Sequence, residues 1–223
     1  HHTLFNAIDW SYALLNRDEQ DLLARSSVFV DGWTLDAAQK IMGDHPPLVT
    51  ANSLQALVGN NLVTQQNDNG EARFLLLETI REYAAERLSE RGELDLIRQR
   101  HAEYFLALAE EADTHLRTVS QPVWLKRLNV ERGNFHAALT WLVDIRGDIE
   151  MGMRLAGALG WFWNLRSYVS EGLGWLTIIL QSGQGIPSGA RVKALNAAGS
   201  LAWEQGDLVH ARADALIGIH ATG

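Results

Sequence analysis

The chain has 223 residues, of which 47% are hydrophobic, with a formal net charge of −8 and no cysteine. This length and apolar content are enough to bury one large core or two smaller ones. The lack of cysteine excludes disulfides, thiolate nucleophiles and cysteine zinc ligands. The negative charge gives no general attraction to nucleic acid. There is no apolar run long enough to cross a bilayer and no recognisable signal peptide, so we expect a cytoplasmic protein without membrane contact.

The two ends of the sequence suggest a piece of a longer protein. The chain starts at His1 and His2 rather than at methionine, and it ends with GIHATG inside a helical pattern. The two histidines are compatible with a tag remnant and receive no functional weight. We therefore expect a fragment of a larger parent protein.

The N-terminal part of the chain predicts four short helices. The first is TLFNAIDWSYALL, whose apolar residues recur at helical spacing. Asn16, with Glu19 three residues later, is a capping-box pattern that predicts the start of the second. Thr34 is the expected cap of the third helix and Gly43 its stop. Thr50 is the expected cap of the fourth.

A β-hairpin is predicted after these helices, in the stretch NLVTQQNDNGEARFLLL. Turn residues from Asn67 to Gly70 separate two short runs that have strand character. The second strand is expected over Phe74–Leu76 and a helix over Thr79–Leu88, with no flexible residue between them. Helices followed by a hairpin are typical of a winged-helix domain.

Only helical periodicity is found from residue 93 onward, and an internal repeat is visible there. The segment ALNAAGSLAWEQGDLVHARADALIGI has small residues where two antiparallel helices must approach closely, and it resembles the tetratricopeptide pattern. Gly133, Ser167 and Gly206 are assigned to the turns within successive helix pairs. Five residues after each turn stands a small residue: Ala138, Gly172 and Ala211.

The predicted organisation follows from these patterns. We expect a mainly α-helical protein with a winged-helix domain that contains one β-hairpin, followed by a tetratricopeptide-like repeat arm. The winged-helix domain is assigned to residues 1–88 and a helical connector to residues 89–118. The repeats, truncated at the end of the chain, are assigned to residues 119–223.

Seven of the eight tryptophans fall into two groups, and the eighth, Trp203, belongs to the predicted groove. Helix packing is the expected role of five of them, because large aromatic side chains usually contribute buried area: Trp10, Trp33, Trp124, Trp141 and Trp175. Trp161 and Trp163 are two residues apart on a helix and cannot both face the same side. The repeat register makes Trp163 the packing residue and places Trp161 on the inner face of the arm.

That inner face is the predicted groove for a ligand or protein partner. An aromatic, amide and cationic set of side chains suits a peptide or a small molecule. The alternative, which the sequence leaves open, is that this face packs against a helix or domain outside the chain. The predicted groove residues are Arg154, Trp161, Asn164, Lys193, Asn196, Ser200 and Trp203.

Several segments taken together resemble a known family. TLFNAIDWSYALL, SSVFVDGWTLDAAQKI, ALVGNNLV and RFLLLETIREYAAERL, followed by RHAEYFLALAEEA, are similar to the region after the nucleotide-binding core of bacterial STAND-type ATPases. These include NB-ARC-like transcriptional regulators of the LuxR and antibiotic-regulator kinds. The resemblance implies a winged helix that packs against a nucleotide domain, and an arm that senses an inducer or partner. ATP or ADP would belong to the parent protein only.

The resemblance also implies a nucleotide-sensing corner where the wing meets the next helix. The family's Met-His-Asp-like motif falls on Leu76, Leu77 and Glu78. Leu77 takes the histidine position and cannot donate a hydrogen bond to a phosphate, so only Glu78 keeps polar character. In the alternative interpretation Leu75 and Leu77 are core residues, and Glu78 is an acid favoured by the first turn of a helix.

The sequence lacks the motifs of the common catalytic and metal sites. It contains no GxxxxGK[ST] phosphate loop, no HExxH metal motif and no GxSxG nucleophile. We therefore expect no catalysis, no metal and no bound cofactor in this chain.

Direct binding of nucleic acid is also not expected. From Ile41 to Ala72, across the expected recognition helix and the wing, the sequence has no Lys or Arg. Phosphate contacts come mainly from these two residue types. Residues 1–88 contain six basic and twelve acidic side chains, so this surface should repel a duplex.

Two functional hypotheses remain. In the first, the chain is a non-catalytic regulatory and sensor segment of a STAND-type signalling ATPase or transcriptional regulator. Binding of an inducer or partner on the arm is then coupled to a nucleotide-binding domain of the same parent chain. In the alternative, the chain is a general protein-interaction scaffold with no nucleotide linkage.

Overall fold

The computed structural model describes residues 2–68, 70–146, 148–185 and 188–206. These residues form helices α1 to α11, strands β1 and β2, and a π-helical turn. Their bounds are α1 His2–Ala13, α2 Arg17–Ser26, α3 Leu35–Met42, α4 Pro47–Gly59, β1 Thr64–Asp68, β2 Glu71–Leu75, α5 Glu78–Glu90, α6 Leu94–His115, α7 Gln121–Val130, α8 Arg132–Thr140, the π-helical turn Trp141–Arg146, α9 Ile149–Leu165, α10 Val169–Ser182 and α11 Gly189–Glu204. The mainly helical fold with one hairpin is confirmed.

The chain divides into two compact units between Tyr104 and Phe105. The long helix α6 therefore begins in the first unit and ends in the second. The three predicted domain ranges are not decided by this division and stay predictions. His1 and Ala211, which the sequence singled out, lie outside the described residues.

Two helix starts in the first unit follow from the sequence pattern. Asn16 caps α2 in a full capping box: its Oδ1 accepts from the Glu19 N–H at 3.0 Å, and the Glu19 carboxylate accepts from the Asn16 N–H at 3.0 Å. Thr34 caps α3 through the Ala37 N–H at 3.3 Å. Gly43, with φ of +70°, ends that helix. These predictions are confirmed.

The predicted start of α4 is wrong by four residues. The helix begins at Pro47 with Pro46 at the cap position, so Thr50 is already inside it and is fully buried. Proline suits a helix start because its fixed φ is helical and the first N–H groups have no partner within the helix. The prolines therefore set the boundary that the threonine was expected to set.

The hairpin has longer strands than the sequence predicts. β1 and β2 pair antiparallel from Thr64 opposite Leu75 to Asp68 opposite Glu71. Asn67 and Asp68, expected in the turn, thus belong to β1 because backbone pairing continues to the end of the strand. Gly70, with φ of +88°, directly precedes β2.

A third backbone segment joins this hairpin. Trp33 and Phe74 form an antiparallel bridge, in which each N–H donates to the other's carbonyl oxygen at 2.9 Å. The Trp33 ring is buried and stacks on Phe29 at 5.2 Å between ring centroids. The loop before α3 is therefore tied to the wing by both backbone and aromatic packing.

Close helix packing forms the second unit, where α9 contacts both α10 and α11. A Cβ added at Gly160 would lie 2.5 Å from the Cβ of Ala197, and one added at Gly172 would lie 2.8 Å from the Trp163 ring. Side chains at these glycines would push the helices apart. The repeat-like packing of small residues is thus present in the described part of the arm.

Of the three predicted turns, the one at Ser167 is confirmed, and the helix expected after Gly206 lies outside the described residues. Ser167 and Gly206 follow α9 and α11 and have φ of +59° and +84°. Gly133 lies inside α8 instead, and the chain turns at Glu131. The Glu131 carboxylate is buried and accepts a 2.7 Å hydrogen bond from the Asn134 amide, which fixes the turn two residues earlier.

The tryptophan predictions hold for most positions. Trp33, Trp141 and Trp163 are buried. Trp124 and Trp175 are half-buried. The packing prediction for Trp10 is wrong, since its side chain is 68% exposed. Contacts of α1 with Tyr83 of α5 are made by other aromatic side chains of α1, Phe5 and Tyr12, which leave Trp10 on the outward side.

Candidate functional site

A groove in the second unit brings together five of the seven predicted groove residues. It lies between α9 and α11 and has a volume of about 560 Å³. On α11, the side chains of Asn196, Ser200 and Trp203 follow one another at helical spacing and share one face. The groove is lined by Trp161, Asn164, Asn196, Ser200 and Trp203, and also by Leu195, Gly199 and Glu204, which the sequence did not single out.

The two neighbouring tryptophans point as the sequence predicts. Trp163 is 2% exposed and packs in the core, whereas Trp161 is half-buried at the groove. The guanidinium of Arg117 lies 4.9 Å from the centroid of the Trp161 ring, a cation–π contact. The Trp161 indole nitrogen is buried and has no hydrogen-bond partner within the described parts of the chain.

The two predicted cations of the groove are held in ion pairs instead. The Arg154 guanidinium binds the Glu110 carboxylate with two hydrogen bonds of 2.8 and 2.9 Å. The Lys193 ammonium lies 2.7 Å from a carboxylate oxygen of Asp113. Sequence reasoning missed these partners, because Glu110 and Asp113 lie on α6, far from α9 and α11 in the chain.

The predicted sensing corner lies at the start of α5. Leu77 occupies the cap position, its side chain is 63% exposed, and its carbonyl accepts the N–H groups of Ile80 and Arg81. The interpretation of Leu77 as a core residue is therefore wrong. The residue follows the end of β2 and precedes the buried face of α5, so neither element turns it inward. Leu75 is half-buried.

Glu78, the other residue of this corner, is paired within its own helix. Its carboxylate accepts hydrogen bonds of 2.6 and 3.1 Å from Arg81. These hydrogen bonds lower the pKa of Glu78 below its ordinary value, so the group is negatively charged at neutral pH. Neither this carboxylate nor the Leu77 side chain can donate a hydrogen bond to a phosphate.

The outward face of α4 carries no charge. Its exposed side chains include Leu48, Asn52 and Gln55, and β1 adds Gln65 and Gln66 beside the wing turn. We call these exposed parts of α4 and β1 the reading face, because a winged helix that binds DNA places the equivalent surface on the duplex. On this face the uncharged residues leave nothing to neutralise phosphates.

Arg73 is the first basic residue after the stretch without Lys or Arg, and its side chain binds backbone carbonyl groups inside the domain. It is buried and donates hydrogen bonds of 3.0 to 3.1 Å to the carbonyl oxygens of Asp31 and Gly32. The guanidinium thus holds the loop before α3 against β2. It does not supply a surface cation to the wing.

The described residues contain neither a cluster of metal-ligating side chains nor a membrane-spanning helix. Within residues 2–68, 70–146, 148–185 and 188–206, no group of three or more His, Asp or Glu side chains could hold a metal ion. In the same ranges no helix is both long and apolar enough to cross a membrane.

The first unit matches a known family. Residues 15–89 fit the model of the family described as a winged helix-turn-helix domain. They span α2, α3, α4, the hairpin and nearly all of α5. These residues form a winged helix-turn-helix domain. In this winged helix-turn-helix domain, α4 and the hairpin carry the reading face.

The chain is also homologous to parts of larger mycobacterial proteins. It is 36% identical over 181 residues to a "Putative HTH-type transcriptional regulator" of Mycobacterium tuberculosis, and equally to one of Mycobacterium bovis. The match covers 80% of this chain but 20% of each regulator, so the chain spans about a fifth of their length. An "Uncharacterized protein" of M. tuberculosis is 37% identical over 105 residues, 46% of this chain and 27% of that protein.

One solved structure is similar to this chain. It is a Signal Transduction ATPase with Numerous Domains protein with a tetratricopeptide repeat sensor from Pyrococcus horikoshii. The likeness covers 94% of this chain and 45% of that one, with a TM-score of 0.34 and 16% sequence identity.

Proposed function

We propose that this chain is a non-catalytic regulatory and sensor segment of an HTH-type transcriptional regulator of the STAND kind. The repeat arm takes a ligand or protein partner, and the winged helix-turn-helix domain passes the change to a nucleotide domain elsewhere in the parent chain. ATP or ADP belongs to that domain, and this segment holds no cofactor and catalyses no hydrolysis. The homologous regulators, of which the aligned segment is one part, support this proposal.

One observation carries the proposal: residues 41–67, which contain the reading face, have no Lys or Arg, and Asp44, outside that face, is their only acidic residue. A domain that reads a duplex needs several Lys or Arg side chains against the phosphates. A face made of amides and an exposed leucine is better suited to another protein surface. The domain therefore serves as a docking module within the regulator, and a different domain of the parent protein contacts DNA.

A binding measurement on this chain tests the docking role. Fluorescence anisotropy with a labelled 30-base-pair duplex at 50 and 150 mM salt should give no binding below about 100 µM protein, the weak end of non-specific affinity. The positive control is a variant with Leu48→Lys, Asn52→Lys and Gln55→Lys, which restores cations to the same face. Micromolar binding by the unchanged chain, lost steeply as salt rises, would overturn the proposal.

The route of coupling is the junction between β2 and α5. β2 ends at Leu75 and α5 begins at Glu78, so two residues join the wing to the helix. Neither residue is glycine, and strand and helix should move together. Replacing Glu78 with glycine puts a permissive residue at this point, at a cost of about 1 kcal/mol in helix propensity.

The test uses the full-length regulator loaded with a fluorescent ADP analogue. If the arm restrains ADP release through the junction, Glu78→Gly should release ADP faster than the unchanged protein. Glu82→Gly is the matched control, because it removes an exposed acid from the next turn of α5 at a similar propensity cost. Equal release rates for all three folded proteins would show that the junction is only a connection.

The scaffold alternative makes a different prediction for the same protein. A general interaction scaffold with no nucleotide linkage should leave ADP release unchanged when any residue of the arm groove is altered. In the sensor proposal, Trp203→Ala changes ADP release or its response to a bound partner. The groove residues then act as the sensing site, and the sensing corner at Leu77 and Glu78 acts through backbone position.

A further inference from the structure

Four charged side chains in the second unit form a compact quartet. Glu110 and Asp113 lie one turn apart on α6, where residues three apart are neighbours on the helix surface. Their partners are Arg154 on α9 and Lys193 on α11. We call these four residues the α6 quartet.

A close approach of helices holds the quartet together. A Cβ added at Gly157, three residues after Arg154, would lie 3.2 Å from Cγ of Lys193. The Lys193 stem thus passes over α9 where that helix has no side chain, within one turn of Arg154. The two cations are therefore neighbours, and α6 meets both with one face.

The quartet and the groove continue each other along the same helices. On α11, Lys193 precedes Asn196 and Ser200 at spacings of three and seven residues, which places all three on one face. On α9, Arg154 precedes Trp161 by seven residues. Arg117 follows the end of α6 and contacts the Trp161 ring. The contacts that α6 makes with the two cations are thus continued toward the groove. The open groove is thus one end of a longer surface whose cationic end is covered.

We propose that α6 is a built-in occupant of the cationic end of this surface. The Glu110 and Asp113 carboxylates take the places that the carboxylates of an external acidic peptide would take on Arg154 and Lys193. The uncharged end, between Trp161 and Trp203, stays open to the rest of that peptide. An acidic segment binds fully only when it displaces the Glu110 and Asp113 carboxylates from the two cations, while α6 itself stays packed through its buried Ala109 and Ala112.

The chemistry of the quartet makes this displacement feasible. All four side chains keep some contact with solvent, so breaking these pairs does not strand a charge in the core. The internal carboxylates compete at the high effective concentration of a tethered group. This inference depends on the sensor role proposed for the arm.

Titration with a triglutamate peptide by isothermal calorimetry tests this proposal on the chain as it is. Glu110→Gln with Asp113→Asn frees both cations while keeping side-chain size, and should tighten binding of the peptide by about 5- to 150-fold, the usual range of coupling between competing sites. The control is Glu82→Gln with Glu111→Gln, which removes two exposed acids outside the quartet. It changes net charge equally and should leave binding near that of the unchanged chain.

Adding Arg154→Gln and Lys193→Gln to the first variant should abolish the gained affinity. The proposal is wrong if the first variant binds no better than the control, or if its binding survives removal of the cations. Glu110→Gln alone, expected to give an intermediate gain, provides the same test if the double variant melts early by circular dichroism. No nucleotide or duplex is used, so failure here leaves the docking role of the winged helix-turn-helix domain standing.

Discussion

The reading face of the first unit and the inner face of the arm in the second unit differ in their cationic side chains. The reading face of the winged helix-turn-helix domain has no cation, and Arg73, the next basic residue along the chain, donates its hydrogen bonds to backbone carbonyls. The inner face of the arm has two cations, Arg154 and Lys193, but each is paired with a carboxylate of α6. The reading face therefore lacks cations, whereas the cations on the inner face of the arm are held in ion pairs.

This difference shows which properties a sequence reveals by itself. It reveals that a segment lacks cations, but it does not reveal which partner a cation will have. A segment without Lys or Arg keeps that composition however the chain folds, so the lack of cations on α4 and β1 themselves can be read from the sequence. Whether a cation that is present is available depends on which residues the fold brings to it. The carboxylates that bind Arg154 and Lys193 come from a helix about 40 or more residues earlier in the chain. Such distant partners cannot be predicted from a local sequence pattern.

The largest expected effect on stability comes from removing the buried Trp33 side chain, which packs next to the wing. Trp33 is 1% exposed, stacks on Phe29 and bridges Phe74 of β2. We expect Trp33→Ala to lower the free energy of unfolding of the first unit by about 3–5 kcal/mol. Trp10→Ala is the matched control, because that side chain is exposed and its loss should change stability by less than about 0.5 kcal/mol.

Urea unfolding followed by far-ultraviolet circular dichroism measures both variants. The sequence alone gives the two tryptophans the same packing role, whereas their burial gives them different ones. Similar losses of stability for Trp10→Ala and Trp33→Ala would mean that the observed exposure of Trp10 does not describe the protein in solution.

The next largest effect tests whether Arg73 is structural. Arg73→Met keeps the length of the side chain but leaves the carbonyl oxygens of Asp31 and Gly32 without their charged donor. We expect a loss of about 1.5–3 kcal/mol, the range for hydrogen bonds to charged groups. Arg17→Met removes the same charge from an exposed position and should have little effect.

A surface role for Arg73 predicts another outcome. If the guanidinium served the wing as a phosphate contact, Arg73→Met would leave thermal stability unchanged and would reduce whatever duplex affinity the chain has. Differential scanning calorimetry together with the anisotropy titration decides between the two roles.

The third effect concerns the spacing of α9 and α11, which sets the width of the groove. Gly160→Ala places a methyl group 2.5 Å from the Ala197 Cβ. Overpacking of this kind costs about 1–3 kcal/mol, of which the better helix propensity of alanine recovers up to about 1 kcal/mol. Thermal unfolding should therefore show a net loss.

Two further variants sharpen this result. Adding Ala197→Gly removes the clash and should recover part of the lost stability. Gly174→Ala, in α10, has open space around the new methyl group and should stabilise the arm by up to about 1 kcal/mol. A stabilising Gly160→Ala would mean that α9 and α11 lie further apart than described.

Local rules account for the parts of the fold that the sequence predicted. The Asn16 capping box, the Thr34 cap and the opposite directions of Trp161 and Trp163 each depend on residues a few positions apart on one helix. The same rule of spacing placed two groove residues on one face of α9 and three on one face of α11, and the repeat register predicted that these two faces line one surface. Short-range geometry is visible in a sequence because neighbours in the chain are neighbours in space.

The failures have the opposite origin. Trp10 is exposed because other aromatic residues of α1 make the contacts to α5, a choice between helix faces that periodicity alone does not settle. Thr50 lost its role as a cap to prolines just before it. Leu77 is exposed because it lies between a strand and a helix, where neither period applies. In each case a competing residue or a junction decided the outcome.

The smallest expected effect, and the one that most directly tests the contrast between the two faces, is the strength of the Glu110–Arg154 pair. Its side chains are 37% and 47% exposed, so solvent screens the interaction and ordering two long side chains opposes it. A double-mutant cycle with Glu110→Gln and Arg154→Gln should give a coupling of about 0.2–1 kcal/mol at low salt. At 1 M salt, where the screening length falls to about 3 Å, the coupling should largely vanish. A coupling of several kcal/mol that persists in salt would mean that the pair is a fixed part of the core, which an acidic peptide could not displace. A weak, salt-sensitive coupling would mean that an acidic peptide can displace the carboxylate and bind the cation. The reading face has no cation that could become available in this way.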